Sequence, residues 1–274
     1  MADRLLGWLA GHETVAFDLD GVLVDSNEVK VACMRAALAD FGPVVVEDFL
    51  EEFRRTFGRS RREHFAAFHR GRLGGDGEGP EFEEFLARYA TGYAELLAER
   101  YRTAPLCAGA GELVRELAGR GADLHVATGT LTSEAQKVLA DHGLLSAFRS
   151  VLGGELPKAK RLADILRSTG SAPHRTVLVG DARQDLLAAS EAGTGFLFVE
   201  RYAFLGAGDV LAGAAAGRSR LVWDLTPDGE VRRASTTARD PHDRHHPHDP
   251  HDRHDRHHPH DRHHPHDPTG DETP

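Results

Sequence analysis

The hydrophobic pattern of this chain changes period as it is followed from the N-terminus. A short apolar run, Val15-Ala16-Phe17, reads as a buried strand and ends in Asp18-Leu19-Asp20-Gly21. From Val29 the apolar positions (Cys33, Ala36, Ala37, Leu38) fall near helical spacing up to a stop at Phe41-Gly42-Pro43. Three more helical patterns follow at 47–57, 59–70 and 81–101, the last two separated by a loop at 71–80 with five glycines. No strand pattern lies between Asp25 and Tyr101. Residues 102–106 read as a return hinge, after which helices at 110–120, 132–142, 158–169 and 183–192 alternate with strands at 123–127, 148–152, 176–179 and 194–199.

Such alternation predicts an α/β fold, a parallel sheet with crossover helices and its chemistry at the carboxyl ends of the strands. The helices that follow the first strand are expected to form an inserted all-helical cap over 26–104, leaving 13–25 and 105–226 as a Rossmann-like core. A helix at 209–216 and an edge strand at 221–225 complete the expected core. From about Arg232 the apolar periodicity is lost. The unit HDRHHPHDP occurs at 242–250 and again at 260–268, so 232–274 is expected to be a disordered His/Asp/Arg/Pro-rich tail, without the apolar residues to offset its ordering entropy.

Composition narrows the function classes. With 274 residues, 40% hydrophobic, the chain can bury a sizeable core. A net charge of -10 and the lack of a basic stripe argue against nucleic-acid binding. Cys33 and Cys107 stand far apart with no C-x-x-C context, which fits a reducing compartment. The N-terminal apolar run is too short for a secretory segment and is expected to lead almost directly into the first strand. No stretch has the length of a membrane span, so a cytoplasmic protein with no membrane partner is expected.

Candidate chemistry collects at the predicted strand ends. Asp18 and Asp20 are two carboxylates where a strand gives way to a loop, and such a pair calls for a cation, a shared proton or divergent environments. Thr128-Gly129 follows the second core strand and offers a hydroxyl and backbone amides to a phosphate oxygen. Lys158 opens an apolar helix face that continues at Leu162 and Leu166, and Lys160 is its rival for the same role. Gly180-Asp181 follows a buried strand, with Asp185 one helical turn on. Each signal alone also fits an ordinary turn, cap or solvated charge.

Taken together and in order, Asp18-x-Asp20-Gly21 with Asp25, then Thr128, Lys158 and Gly180-Asp181-x-x-x-Asp185, resemble the haloacid dehalogenase-like superfamily. The resemblance covers about 13–226 and is to the branch with a helical cap after the first strand. It implies Asp18 as a nucleophile forming an aspartyl-phosphate and Asp20 as general acid and then base. Thr128, Gly129 and Lys158 would bind phosphoryl oxygens. Asp18, the backbone carbonyl of Asp20 and Asp181 would hold Mg2+, supported by Asp185. The presence of Asp20 favours phosphorus–oxygen chemistry over dehalogenation. Gly58-Arg59-Ser60-Arg61 resembles the substrate-phosphate loop of the sugar phosphomutases, but Lys30 stands where those place a cap His. A phosphatase on a small phosphate ester is expected ahead of a phosphomutase. Arg59, Arg61 and Lys30 are candidate substrate contacts, although Arg59, Arg61 and Arg62 equally fit a solvated helix start.

Twelve of the eighteen histidines lie beyond residue 240, and imidazole suits nickel, zinc and copper. Transition-metal binding by the tail is therefore a separate expectation, set against a repeat with no selected role.

Overall fold

The computed structural model describes residues 3–214 and 217–233. The chain begins with β1 (Asp3–Arg4), α1 (Leu5–Ala10) and β2 (Thr14–Phe17). Four helices follow: α2 (Asn27–Ala37), α3 (Pro43–Arg55), α4 (Arg61–Leu73) and α5 (Gly79–Tyr101). The alternating part comprises α6 (Ala110–Gly119), β3 (Asp123–Ala127), α7 (Thr132–Asp141), β4 (Ser150–Leu152), α8 (Lys158–Thr169), β5 (Thr176–Gly180), α9 (Arg183–Ala192) and β6 (Gly195–Val199). It closes with α10 (Ala207–Val210), β7 (Ser219–Val222) and β8 (Glu230–Arg233).

One sheet runs in the order β1-β8-β7-β6-β5-β2-β3-β4, parallel from β7 to β4. All four residues of β2 are buried, as are all five of β5. Strands covered by helices on both faces lose the period-two pattern and read as apolar runs, which is why they were visible in the sequence. Register then positions the site. Phe17 pairs with both Val126 and Val179, so β2, β3 and β5 end level with one another. Asp18, Thr128 and Asp181 therefore leave the sheet side by side at its carboxyl edge.

The helices between β2 and β3 pack through apolar faces. On α3 these are Val46, Phe49, Leu50 and Phe53, with helical spacing. Phe49 meets Phe68 edge-on, and Phe68, Phe82 and Phe85 stack behind it. Ser60 caps α4 in a capping box with Glu63. The two chain crossings between these helices and the sheet lie together: Asp25 N donates to Pro105 O (2.9 Å) and Cys107 N to Leu23 O (3.0 Å).

Inside the chain the differences are of boundaries, since Pro43 opens α3 rather than only stopping the helix before it and α4 runs on to Leu73 through the start of the expected loop; the larger differences from the sequence reading sit at the ends of the chain. The N-terminus does not run straight into the first strand; α1 intervenes and buries Leu5 and Leu9. The expected edge strand is β7, an interior strand, because β8 and then β1 pair beyond it. β8 carries one buried apolar residue, Val231, among charged ones, too little pattern to announce a strand. It also takes in Arg232 and Arg233, the first residues of the expected tail. The helix expected at 209–216 is the single turn of α10. The remainder of the expected tail lies outside the described residues. No described helix is long and apolar enough to cross a membrane.

Candidate active site

Beyond Phe17 the backbone still follows the sheet, since Asp18 N donates to Val179 O (2.8 Å). The carboxylate of Asp18 is fixed at both oxygens: Leu19 N donates to Oδ1 (2.8 Å) and Lys158 Nζ lies 2.8 Å from Oδ2. Lys158 also pairs with Asp185, whose other oxygen accepts from Ala182 N at 3.0 Å. Lys158 is thus a buried bridge between two carboxylates. Burial alone would lower its pKa, but Asp18 and Asp185 outweigh that and raise it, so the ammonium stays charged. Lys160, two residues on, is exposed.

Asp181 completes the cluster. One carboxylate oxygen from each of Asp18, Asp181 and Asp185 lies within 4.8 Å of the other two. Burial, and then Asp185 and Asp18, push the Asp181 carboxyl well above the usual range. Its Oδ2 accepts from Asn27 Nδ2 (2.7 Å), while its buried Oδ1 has no hydrogen-bond partner among the described residues. Two glycines make this crowding feasible. Gly21, with φ of +72°, turns the chain after Asp20, and a Cβ there would collide with Asp181 and Asn27. Gly180 has no positive φ; it is needed because a Cβ would stand 2.5 Å from Asp185.

Asp20 faces away from this cluster into a ring of donors. Ser26 Oγ (2.7 Å) and the Tyr101 hydroxyl donate to Oδ1; Lys30 Nζ (2.7 Å) and Thr130 Oγ1 (2.8 Å) donate to Oδ2. Burial would raise its carboxyl, but Lys30 above all, with Tyr101 and Ser26, holds it below the usual range. The two carboxylates that looked alike in sequence therefore have different surroundings: Asp18 faces Lys158 and the other acids, Asp20 faces donors supplied mainly by helices.

Thr128 is buried, and its Oγ1 accepts from Thr130 N (3.1 Å). Behind it lies Arg161, 1% exposed, whose guanidinium donates to the carbonyls of Thr128 and Leu156. This arginine ties the turn after β3 to the turn before α8, and so holds Thr128 and Lys158 in one frame. Gly129 lies under the Arg59 carbonyl of the 57–61 loop. That loop, with Lys30 and His64, closes a cavity of about 20 Å³ over Gly129 and Thr130. Arg61, a candidate substrate contact, is tied instead to Glu134 of α7 (2.6 Å) and lies over the Tyr93 ring. Arg62 pairs with Glu83 at the surface. Asp25 is half-buried at the chain crossing, its carboxyl raised by burial against the pull of Arg201.

The structure thus brings Asp18, Asp181, Asp185 and Lys158 together, places Asp20 and Thr128 beside them, and sets Lys30 and Arg59 around the cavity above. Six further residues were not singled out from sequence: Ser26, Asn27, His64, Tyr101, Thr130 and Arg161. Thr130 alone had a local signal, a second hydroxyl two residues after Thr128.

The donor set fits a hard divalent cation. The four buried carboxylates (Asp18, Asp20, Asp181, Asp185) outnumber the three cations beside them, Lys30, Lys158 and Arg161. The orphaned Oδ1 of Asp181 belongs to an all-oxygen group of the kind such ions prefer.

Comparison with known proteins agrees with this geometry. Phosphoglycolate phosphatase 1 of Pseudomonas aeruginosa is 31% identical over 189 residues, covering 65% of this chain and 66% of its own length. The phosphoglycolate phosphatase of Caulobacter vibrioides is 29% identical over 189 residues, 66% of this chain and 76% of its own. Among solved structures, a haloacid dehalogenase-like hydrolase from Bacteroides fragilis superposes with a TM-score of 0.65 at 20% identity, over 78% of this chain and 98% of that one. The family model described as haloacid dehalogenase-like hydrolase matches residues 15–199, the segment that carries every buried carboxylate above, and the chain belongs to that family.

Proposed function

We propose that this chain is a Mg2+-dependent phosphatase that hydrolyses a small phosphate monoester through an aspartyl-phosphate. The observation that carries the reading is Lys158 bridging Asp18 and Asp185 beside Asp181, at the carboxyl edge of the sheet. Phosphoryl transfer depends on alignment and charge neutralisation, and this cluster supplies both.

Asp18 attacks phosphorus and the ester P–O bond breaks. Asp20 is ionised while Lys30 is on it; once Lys30 is displaced its carboxyl rises and takes up a proton, which it gives to the leaving oxygen, and it then takes one from the water that cleaves the aspartyl-phosphate and restores Asp18. Both oxygens of Asp20 are occupied by donors, so a leaving group reaches it by displacing one; Lys30, which lines the cavity, is the donor placed to yield. Thr128, Gly129 and Lys158 hold the phosphoryl oxygens. Asp18 and Asp181, with the Asp20 carbonyl, would hold Mg2+, which supplies charge neutralisation at the transferring phosphoryl group. Asp185 orients Lys158. Helices α2–α5 act as a cap over 26–104 on a core of 13–25 and 105–226, which β1, α1 and β8 extend at one edge of the sheet. A cytoplasmic location belongs to this reading, supported by two buried, unpaired cysteines.

The test is phosphate release from a panel of phosphate esters with Mg2+, with Asp18→Asn as control. No release by the natural chain, or equal release by the variant, would end the proposal. A phosphomutase is the alternative on the same residues and would isomerise a sugar phosphate without net release; the pairing of Arg61 with Glu134 weighs against it. Transition-metal binding by the histidines beyond residue 240 is a separate proposal. It predicts zinc or nickel binding by the full chain that is lost on truncation after Arg239.

A further inference from the structure

A cleft of about 210 Å³ lies at the amino edge of the sheet, across the core from the acidic cluster. It opens between the end of α1 and the turns that start β5, β6 and β7. The five residues of β5 alone put roughly 16 Å of strand between the two edges. Trp8, His12, His174, Arg218 and Arg220 line the cleft, and glycine makes up the rest of its wall. No carboxylate lines it, although the chain carries a net charge of -10.

The polar groups of this wall keep unused capacity. Arg218 Nη1 donates to Gly193 O (3.2 Å), and Arg220 Nη1 donates to Gly217 O (2.9 Å) and Ser219 O (3.1 Å). Neither guanidinium has an ion-pair partner among the described residues. Glu13, next to His12 in the chain, is already paired with Arg175 (3.0 Å). Gly193 caps the carboxyl end of α9, so the helix dipole accounts for the single bond from Arg218. It leaves Arg220 and the remaining donors of both forks unexplained. His12 Nδ1 donates to the Trp8 carbonyl (3.1 Å), and Nε2 is the nitrogen that remains. Burial lowers the His12 pKa against two backbone hydrogen bonds, so the ring is neutral at pH 7 and Nε2 accepts. The Trp8 and His12 rings lie 4.6 Å apart, tilted by 59°, and give the cleft an aromatic side.

Guanidinium forks without a counter-ion call for a phosphate or carboxylate. An aromatic side calls for a flat ring, and a bare imidazole nitrogen for a hydroxyl or N–H. A nucleoside phosphate carries all three, and a purine, the larger base, covers more of the aromatic side. We propose that this cleft is a second binding site, for a purine nucleoside monophosphate, with the phosphate on Arg218 and Arg220 and the nucleoside against Trp8 and His12. At ~30 Å³ per water the cleft has the room of roughly seven waters, more than an inorganic ion needs. The site is separate from the acidic cluster and does not depend on the phosphatase reading.

Fluorescence isolates it. The chain has two tryptophans, Trp8 and Trp223, and Trp223 follows β7 at the opposite edge of the sheet. In the full chain carrying Trp223→Phe, with chelator present to prevent turnover, adenosine or guanosine monophosphate should change Trp8 emission saturably. By calorimetry on the natural chain, that nucleotide should bind about tenfold or more tighter than its nucleoside or inorganic phosphate. Arg218→Met and Arg220→Met should each weaken it by about tenfold or more, the scale of a charge-assisted contact, and leave phosphate release from the ester panel unchanged. Asp18→Asn should bind it as the natural chain does. No saturable change with either nucleotide, inorganic phosphate binding as tightly as the nucleotide, or an affinity that both arginine variants preserve would overturn the proposal. Loss of binding in Asp18→Asn would also overturn it, by placing the nucleotide at the acidic cluster. Arg218 is exposed in the turn before β7, so its variant remains informative if Arg220→Met fails to fold.

Discussion

Gly21→Ala is a small change with a large predicted effect. Gly21 has φ of +72° and donates its N–H to Val24 O (2.8 Å), closing the turn that follows Asp20. A Cβ would lie 2.8 Å from Asp181 Cγ, and closer still to Asp181 Oδ2 and Asn27 Nδ2. Ordinary carbon contacts are about 3.5–4.0 Å, so relief requires a shift of roughly 1 Å in a buried carboxylate or in the turn itself. The left-handed backbone costs about 1–2 kcal/mol for a residue with a Cβ. Overpacking adds about 1–3 kcal/mol, giving roughly 2–5 kcal/mol in all. Denaturant unfolding with and without Mg2+ measures the loss. Because Asp181 must move, the Mg2+ needed for half-maximal phosphate release should rise by about tenfold or more, the equivalent of ~1.4 kcal/mol in metal binding. A variant within about 0.5 kcal/mol of the natural chain, with unchanged Mg2+ dependence, would refute the close approach on which the site geometry depends.

Other outcomes follow from the same geometry. Without metal, burial, with Asp18 beside it and against the pull of Lys158, raises Asp185 to about 6, so the folded chain holds a proton that the unfolded chain releases near the ordinary carboxylate value. Its contribution to stability should therefore fall as pH rises from about 4 to 6, by at most ~1.4 kcal/mol per pH unit, in chelator-treated protein compared with Asp185→Asn; a rise over that window would contradict it. Arg61 and Glu134 form a partly buried ion pair, 13% and 18% exposed, between α4 and α7. A double-mutant cycle should give a coupling of about 1 kcal/mol, and a value near zero would show that the pair does not hold the loop down.

The fold was legible where one face pattern dominated. The α8 and α9 boundaries agree with the structure because each has a regular apolar stripe and a glycine immediately after it, Gly170 and Gly193. β8 was not legible, because its place is set by pairing with β7 and β1 rather than by burial. In the candidate site, Asp18, Thr128 and Asp181 could be found because strand ends announce themselves. Tyr101 could not: it is the last residue of a long helix, and nothing local marks its hydroxyl as a partner of Asp20, 81 positions away in sequence. Asn27 and Arg161 are hidden for the same reason. Each acts through a contact that only the packing of helix on sheet creates.

In the proposed mechanism Asp18 carries the phosphoryl group. Acid-quenching the protein during turnover of a phosphate ester, followed by proteolysis and mass spectrometry, reads this directly. A phosphoryl group should be found on the peptide containing Asp18, and it should vanish together with phosphate release in Asp18→Asn. Phosphate release that persists in that variant, or a phosphoryl group on another residue, would contradict the account.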